Sequence, residues 1–280
     1  LTFISTITAD AVVAAATEII KRSGSAARAE AWYAFVKATD PQEAKLTAEH
    51  IKLFDAQEKD VQKNMAKRPL KSIVDKGEFD SRIDSWLFGQ RKWNKLFAEG
   101  TRDTIGGIVT LNGGRAMDEV TGVAAAFNVT DPNVREFVKA QPAEWGSLVN
   151  ETTSKDLRRT LTTGMTAGES MAQLKTRVSD YYDLNAKDVR APMIARTETT
   201  GAANFATEEG YRQTGVVSEK EWVATLDSRV RDTHAATDGE TVPLGDKFSI
   251  GLEYPGDPSG DISTIINCRC TMIPVIDEDA

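Results

Sequence analysis

The hydrophobic rhythm of this chain changes at Gly215, and that change limits its fold more than any other feature. From about Thr8 up to that glycine, apolar residues recur at intervals of three and four among alanines and straight-chain helix formers, the period of amphipathic helices. Beyond it the text breaks into short alternating runs separated by Gly, Pro and Asp, the punctuation of strands and turns. Helices followed by strands predict an α+β protein. Residues 1–149 form its long-helix N-terminal half, and residues 150–280 a small mixed domain with a helical base and a short β-sheet.

Several elements can be placed more closely. "DPQEAKLTAEHIKLFDAQEKDVQKNM" predicts a helix with Asp40 as N-cap and Pro41 at its first position, since proline there gives up an N–H that has no helical partner anyway. Leu46, Ile51, Leu53, Phe54, Val61 and Met65 mostly follow its apolar face. Trp86, Trp93 and Phe97 fall at helical offsets in the next segment and read as core rather than as a stacking surface for bases. The two Gly pairs of "GGIVTLNGGRAMDEV" lack the preceding strand and the Gly-Lys-Ser/Thr ending of a phosphate loop, and read as helix breaks or close helix contacts. Asp131-Pro132 opens another helix, and Gly164 is expected to cap its successor. "VVSEKEWVAT" reads as a strand, "LDSRVRDTHAATDG" as a short helix capped by Asp227 or Ser228 and stopped by Gly239, with a hairpin around Val242 and Phe248. "IINCRCTMIPVI" reads as the closing strand.

Composition excludes several classes. With 40% hydrophobic and 27% charged residues the chain is a globular protein. Its best candidate span, "LTFISTITADAVVAAATEII", carries Asp10 and Glu18 and has no basic leader, so neither a signal peptide nor a membrane helix fits. Residues 217–280 hold five Lys/Arg against thirteen Asp/Glu, while the preceding residues are balanced. A general nucleic-acid coat would be basic, so any DNA contact is expected in a local patch away from this acidic region. The chain opens on Leu1 rather than a methionine, which points to a fragment, a processed product or the tail of a longer polypeptide.

Both cysteines of the chain stand in "INCRC", as Cys268 and Cys270. On an extended strand, positions two apart share a face, so both sulfurs could reach one ion. His234 and an aspartate such as Asp227, Asp232 or Asp238 would complete a tetrahedral zinc site. The competing readings are two half-buried thiols packed under a loop, a strained redox pair, and a Cys268–His234–Asp nucleophile. His50, the other histidine, is expected at a surface or groove. Arg196, beside Ile194 and Ala195 in the helix that also holds Glu198, is expected to pair with a carboxylate and lock its helix to the β element. Arg229 and Arg231 are expected to face a partner or to neutralise local acids.

Taken in order, "IARTETTGAANFA", "KEWVATLDSRVRDTHAATDGETV", "FSIGLEYPGDPSGD" and "NCRC" resemble the Mu F-like phage head morphogenesis, or minor head, proteins. The residues carrying the resemblance are Arg196, Thr197, Glu198, Trp222, Asp227, Arg231, His234, Asp238, Gly239, Asn267, Cys268, Arg269 and Cys270. It covers roughly Asn150 to Pro274. A weaker similarity of the helical half to the region that follows a portal-type segment suggests the tail of a portal-fused protein.

The resemblance implies a non-enzymatic minor head protein in the virion, assembled in the host cytoplasm and associated in low copy with portal and capsid proteins. It would serve head assembly and the packaging or ejection of DNA. The resemblance implies no membrane partner in the head, and leaves contact with phage DNA and homo-oligomerisation open. It implies no cofactor, with zinc at His234, Cys268 and Cys270 as the exception to test. Some relatives carry a Cys-x-x-Cys near the Trp strand, where this chain has Arg229 to His234 and no cysteines. Others are fused to toxin enzymes after the domain, whereas this chain ends in "VIDEDA". The alternative function is a metal-dependent hydrolase or nuclease using His234, Cys268, Cys270 and a nearby aspartate.

Overall fold

The computed structural model describes residues 25–69 and 76–276. The stretch "LTFISTITADAVVAAATEII" and the final "DEDA" lie outside them. Eight α-helices are described: α1 Ser25–Lys67, α2 Lys76–Trp86, α3 Gln90–Thr121, α4 Pro132–Thr166, α5 Met171–Tyr181, α6 Ala191–Thr214, α7 Asp232–Thr237 and α8 Ile262–Ile265. A π-helical segment, Tyr182–Arg190, joins α5 to α6. Strands β1 Glu219–Val223, β2 Thr241–Pro243 and β3 Thr271–Val275 form one antiparallel sheet in the order β2-β1-β3. This is the α+β architecture that the change of rhythm at Gly215 predicts. Among the described residues no helix is long and apolar enough to cross a membrane.

The chain folds into two compact units built from interleaved segments. Residues 149 and 150 both lie within α4. The helical unit comprises the described parts of 45–103 together with 139–193. Leu46, Phe54, Val61 and Met65 on α1 are fully buried there, as their spacing predicts, and Phe54 meets Phe97 edge to face at 5.4 Å. Trp86 and Trp93 are core residues whose indole N–H groups still find acceptors, Arg68 O at 2.8 Å and Asp60 Oδ2 at 2.9 Å, as buried indoles require. His50 is buried against the Phe97 ring rather than sitting at a surface. A polar seam crosses this core: Tyr182 OH donates to Gln57 Oε1 at 3.1 Å, Gln57 Nε2 to Asn150 Oδ1 at 2.7 Å, and Asn150 Nδ2 to Gly146 O at 2.7 Å.

The α+β unit comprises the described parts of 1–44, with 104–138 and 194–276. Its core gathers Ala116, Val120, Tyr211, Val217, Tyr254, Met272 and Ile276, and Phe205 stacks on Phe137 at 3.9 Å. β1 is the central strand, with Glu221 opposite Thr241 on one side and Ile273 on the other.

Three boundaries differ from the sequence reading, and one reading left open is decided. Helix α1 runs through Pro41; Asp40 is no N-cap but takes an ion pair from Arg269 at 3.1 Å. The Gly pairs of α3 do not break it. Of the two readings, close contact holds at Gly113: a Cβ on Gly210 would lie 2.7 Å from Gly113 O and 2.8 Å from Ala116 Cβ, whereas a Cβ on Gly107 or Gly114 would meet nothing within 4 Å. Gly164 lies inside α4, and the turn glycine is Gly168, at φ +75°, followed by Ser170 in a capping box with Gln173. Finally, α7 starts after Arg231, because Asp227 spends its carboxylate on the Arg229 N–H, at 2.9 Å, in a local turn.

Candidate functional site

Within the α+β unit, the residues of the C-terminal motif converge on the turn that precedes β3. Asn267 has φ 57°, a left-handed conformation that asparagine tolerates better than most residues. "NCRC" is therefore a turn leading into the strand, not the strand itself. It brings the two sulfurs together by bending rather than by alternation, and the Cys270 N–H lies 3.4 Å from Cys268 Sγ.

One face of α6 holds this turn. Thr197 Oγ1 accepts the Asn267 N–H at 3.0 Å, Thr200 Oγ1 donates to Cys268 O at 2.7 Å, and Asn204 Nδ2 donates to Cys270 O at 3.0 Å. Asn204 is fully buried; it also donates to Pro255 O at 3.0 Å and accepts from Thr271 Oγ1 at 3.0 Å. Offsets of three and four along a helix put these side chains on one stripe. The neighbouring alanines 202, 203 and 206 let the loops come close, and a Cβ on Gly201 would stand 2.7 Å from Gly256 O.

The outer side of the turn is bound to α1. Arg269 reaches Asp40 at 3.1 Å and Glu43 at 3.2 Å, its carbonyl accepts the Trp32 indole N–H at 2.9 Å, and Arg231 donates to Ile266 O. Arg196 ties its helix to the turn before β3 by a hydrogen bond to Asn267 Oδ1 at 3.1 Å, but its ion pair, at 3.0 Å, is made with Glu43 on α1 and not with the β element. The carboxylate is thus Glu43 rather than Glu198, which is buried elsewhere on α6.

Beneath the turn, His234 from α7 meets both cysteines. Its Nδ1 lies 3.4 Å from Cys270 Sγ and 3.6 Å from Cys268 Sγ, and all three side chains are buried. The Trp222 ring stands edge to face on His234 at 5.4 Å and on Phe248 at 5.1 Å, which fixes the imidazole. The thiol-to-thiol bond from Cys270 holds Cys268 down to about 5 against the opposing effect of burial, with His234 adding to the pull. The same bond, with burial, raises Cys270. The cluster therefore favours one shared negative charge rather than two.

The aspartate expected beside these three is not among the described residues that form the cluster. Asp238 instead accepts the Ala224 N–H at 2.9 Å and pairs with Arg28, next to Gly239 at φ +82°. Asp227 pairs with Arg229 at 2.8 Å. A nucleophile or hydrolase arrangement would need one of these carboxylates against the imidazole.

A second buried group escaped sequence reading. Lys220 on β1 is fully buried, with Nζ 2.7 Å from Glu208 Oε2, 2.6 Å from Glu253 O and 5.4 Å from the Phe248 ring centroid. Glu208 also accepts the Gly245 N–H at 2.9 Å. Burial pushes Glu208 up to about 7 against the pull of Lys220. In "SEKEWV" the lysine sits between acids and reads as solvated. The available signal was its alternation phase, which places Lys220 on the same strand face as Trp222.

Comparison with known proteins agrees with the order of these motifs. Residues 155–273 match the family described as Phage Mu protein F like protein. The chain is 32% identical over 120 residues to minor head protein GP7 of Bacillus phage SPP1, covering 41% of this chain and 38% of that protein. It is 31% identical over 129 residues to NAD(+)–arginine ADP-ribosyltransferase EFV of Enterococcus faecalis, covering 44% of this chain and 26% of that one. It is also 22% identical over 198 residues to the uncharacterized protein YqbB of Bacillus subtilis, covering 68% and 64%. The chain thus spans less than two thirds of the length of each of these relatives. No solved structure matches it.

Proposed function

We propose that this chain is a minor head protein of a tailed bacteriophage, carried in the virion through contacts with the portal and capsid proteins. The observation that carries the reading is the family match over residues 155–273, reinforced by 32% identity over 120 residues with a phage minor head protein. The α+β unit supports a structural role. Its motif residues bond to one another's backbone and to α1 and α6, and so hold a rigid module rather than lining an open cleft. Residues 150–280 act as the minor head module and the long helices as the assembly region, contacting the portal or neighbouring copies in head assembly and in the packaging or ejection of DNA. The acidic balance of residues 217–280 directs any DNA contact to other parts of the chain.

The test is the composition of purified heads. The chain should co-purify with portal and major capsid protein, at a low copy number relative to the latter, and should remain after a wash at high salt. Heads that contain portal and capsid but none of this chain would remove the reading.

A further inference from the structure

The geometry points to a structural zinc site formed by His234 Nδ1, Cys268 Sγ and Cys270 Sγ, which ties α7 to the turn before β3. The inference rests on the local geometry of the α+β unit and is independent of the role proposed in the phage head.

Three observations support it. First, the donor atoms already stand at coordination spacing. For a tetrahedral ion with Zn–S of about 2.3 Å and Zn–N of about 2.0 Å, adjacent sulfur and nitrogen ligands lie about 3.5 Å apart. The two sulfur–nitrogen separations are 3.4 Å and 3.6 Å, and all three ligand atoms fall within 4.8 Å of one another. A single N–H···S bond would favour one sulfur, whereas Nδ1 is set almost evenly between two.

Second, the ligands are fixed before any ion arrives. Thr200 and Asn204 hold the carbonyls of Cys268 and Cys270, Asn267 supplies the bend, and Trp222 pins the imidazole edge to face. Ligands held in this way lose little freedom on binding. Nδ1 is the imidazole nitrogen that faces both sulfurs; ligation through it leaves the proton on Nε2, which has no hydrogen-bond partner among the described residues.

Third, the site lies in a segment with little regular structure of its own. Between β1 and β3 the regular elements are only the six residues of α7, the three of β2 and the four of α8, so an ion there would add a direct link between α7 and the turn. The donor set is soft: two thiols and an imidazole select zinc-like ions over magnesium or calcium. The fourth tetrahedral position falls to a water molecule or a neutral oxygen, since no fourth His, Cys, Asp or Glu among the described residues joins the group.

The experiment is metal analysis and cobalt substitution on the purified full chain. About one zinc per chain is expected, and Co(II) in its place should give the thiolate-to-metal charge-transfer absorption of a sulfur-ligated site. Cys268→Ser and Cys270→Ser should each reduce bound metal at least tenfold. His234→Cys, which keeps three metal-binding side chains, should retain the metal and its charge-transfer band, and so guards against a merely unfolded variant. Wild-type chain refolded with zinc or cobalt that binds neither would overturn the inference. So would metal binding that survives both serine substitutions unchanged.

Discussion

Replacing Lys220 by methionine should be among the most damaging single changes in the α+β unit. Methionine fits the volume of the lysine stem, so the perturbation is the loss of one ammonium rather than a cavity. That ammonium makes contacts at 2.7 and 2.8 Å with the two Glu208 oxygens and at 2.6 Å with Glu253 O. Without it Glu208, itself 1% exposed, keeps the Gly245 N–H and the more distant Arg212, at 3.5 Å, as partners. Breaking a buried pair by removing one partner costs about 3–5 kcal/mol. The remaining Arg212 contact, and the proton that a carboxyl already raised to about 7 takes up once the ammonium is gone, argue for the lower end, about 3 kcal/mol.

The double variant Lys220→Met/Glu208→Gln removes the stranded carboxyl group while its amide oxygen still accepts from Gly245. It should recover about 2 kcal/mol of that loss, because replacing both members of a buried pair is often near neutral. Equilibrium urea unfolding of the wild type, both single variants and the double variant closes the cycle. The reasoning fails if Lys220→Met lies within about 1 kcal/mol of wild type, near the net worth of one ordinary hydrogen bond. It fails equally if the double variant is no more stable than Lys220→Met.

Two further outcomes follow from the same unit. Gly201→Ala places a methyl 2.7 Å from the Gly256 carbonyl oxygen; backbone cannot step aside as a side-chain tip does, so thermal unfolding should report a loss of about 1–3 kcal/mol. The pH dependence has a defined sign. Glu208 is raised from 4.5 to about 7, so the folded state holds its proton more tightly than the unfolded chain. Its contribution is complete below 4.5 and is lost as pH rises through about 7. The stability difference between wild type and Glu208→Gln should therefore shift against wild type across that window; a flat difference would contradict it.

The parts of this fold that were legible in the sequence are those fixed by local periodicity. Leu46, Phe54, Val61 and Met65 announce a buried helix face by spacing alone, and Trp222 announces the central strand. The parts that were not legible depend on what a residue meets far along the chain. Pro41 looks like a helix start because proline lacks a donor, yet one missing bond is outweighed by the buried residues that α1 carries before it, Trp32, Phe35 and Thr39, and after it, Leu46 and His50. Gly164 and Gly168 are equally plausible as caps until Ser170 and Gln173 close their capping box and select the second. For the candidate site, the sequence supplied the three ligand types and their convergence. It misassigned the cause to strand alternation, since the left-handed Asn267 and the grip of Thr200 and Asn204 exist only after α6 has docked. Glu43 as the partner of Arg196 and Arg269 was out of reach, being 153 and 226 positions distant.

The bond from the Trp32 indole to the Arg269 carbonyl spans 237 positions, and this separation orders the events of synthesis. All pieces of the helical unit are available once residue 193 has been made. The α+β unit lacks both its β3 edge and the turn that grips α1 until the ribosome has passed residue 275. Long closures of this kind are slow to form. In the interval, the faces of α1 and α6 that later receive Asn267–Cys270 stand uncovered on a nascent chain whose other unit already has every segment it needs. That is the window in which a chaperone, or an early assembly partner, would find this protein open.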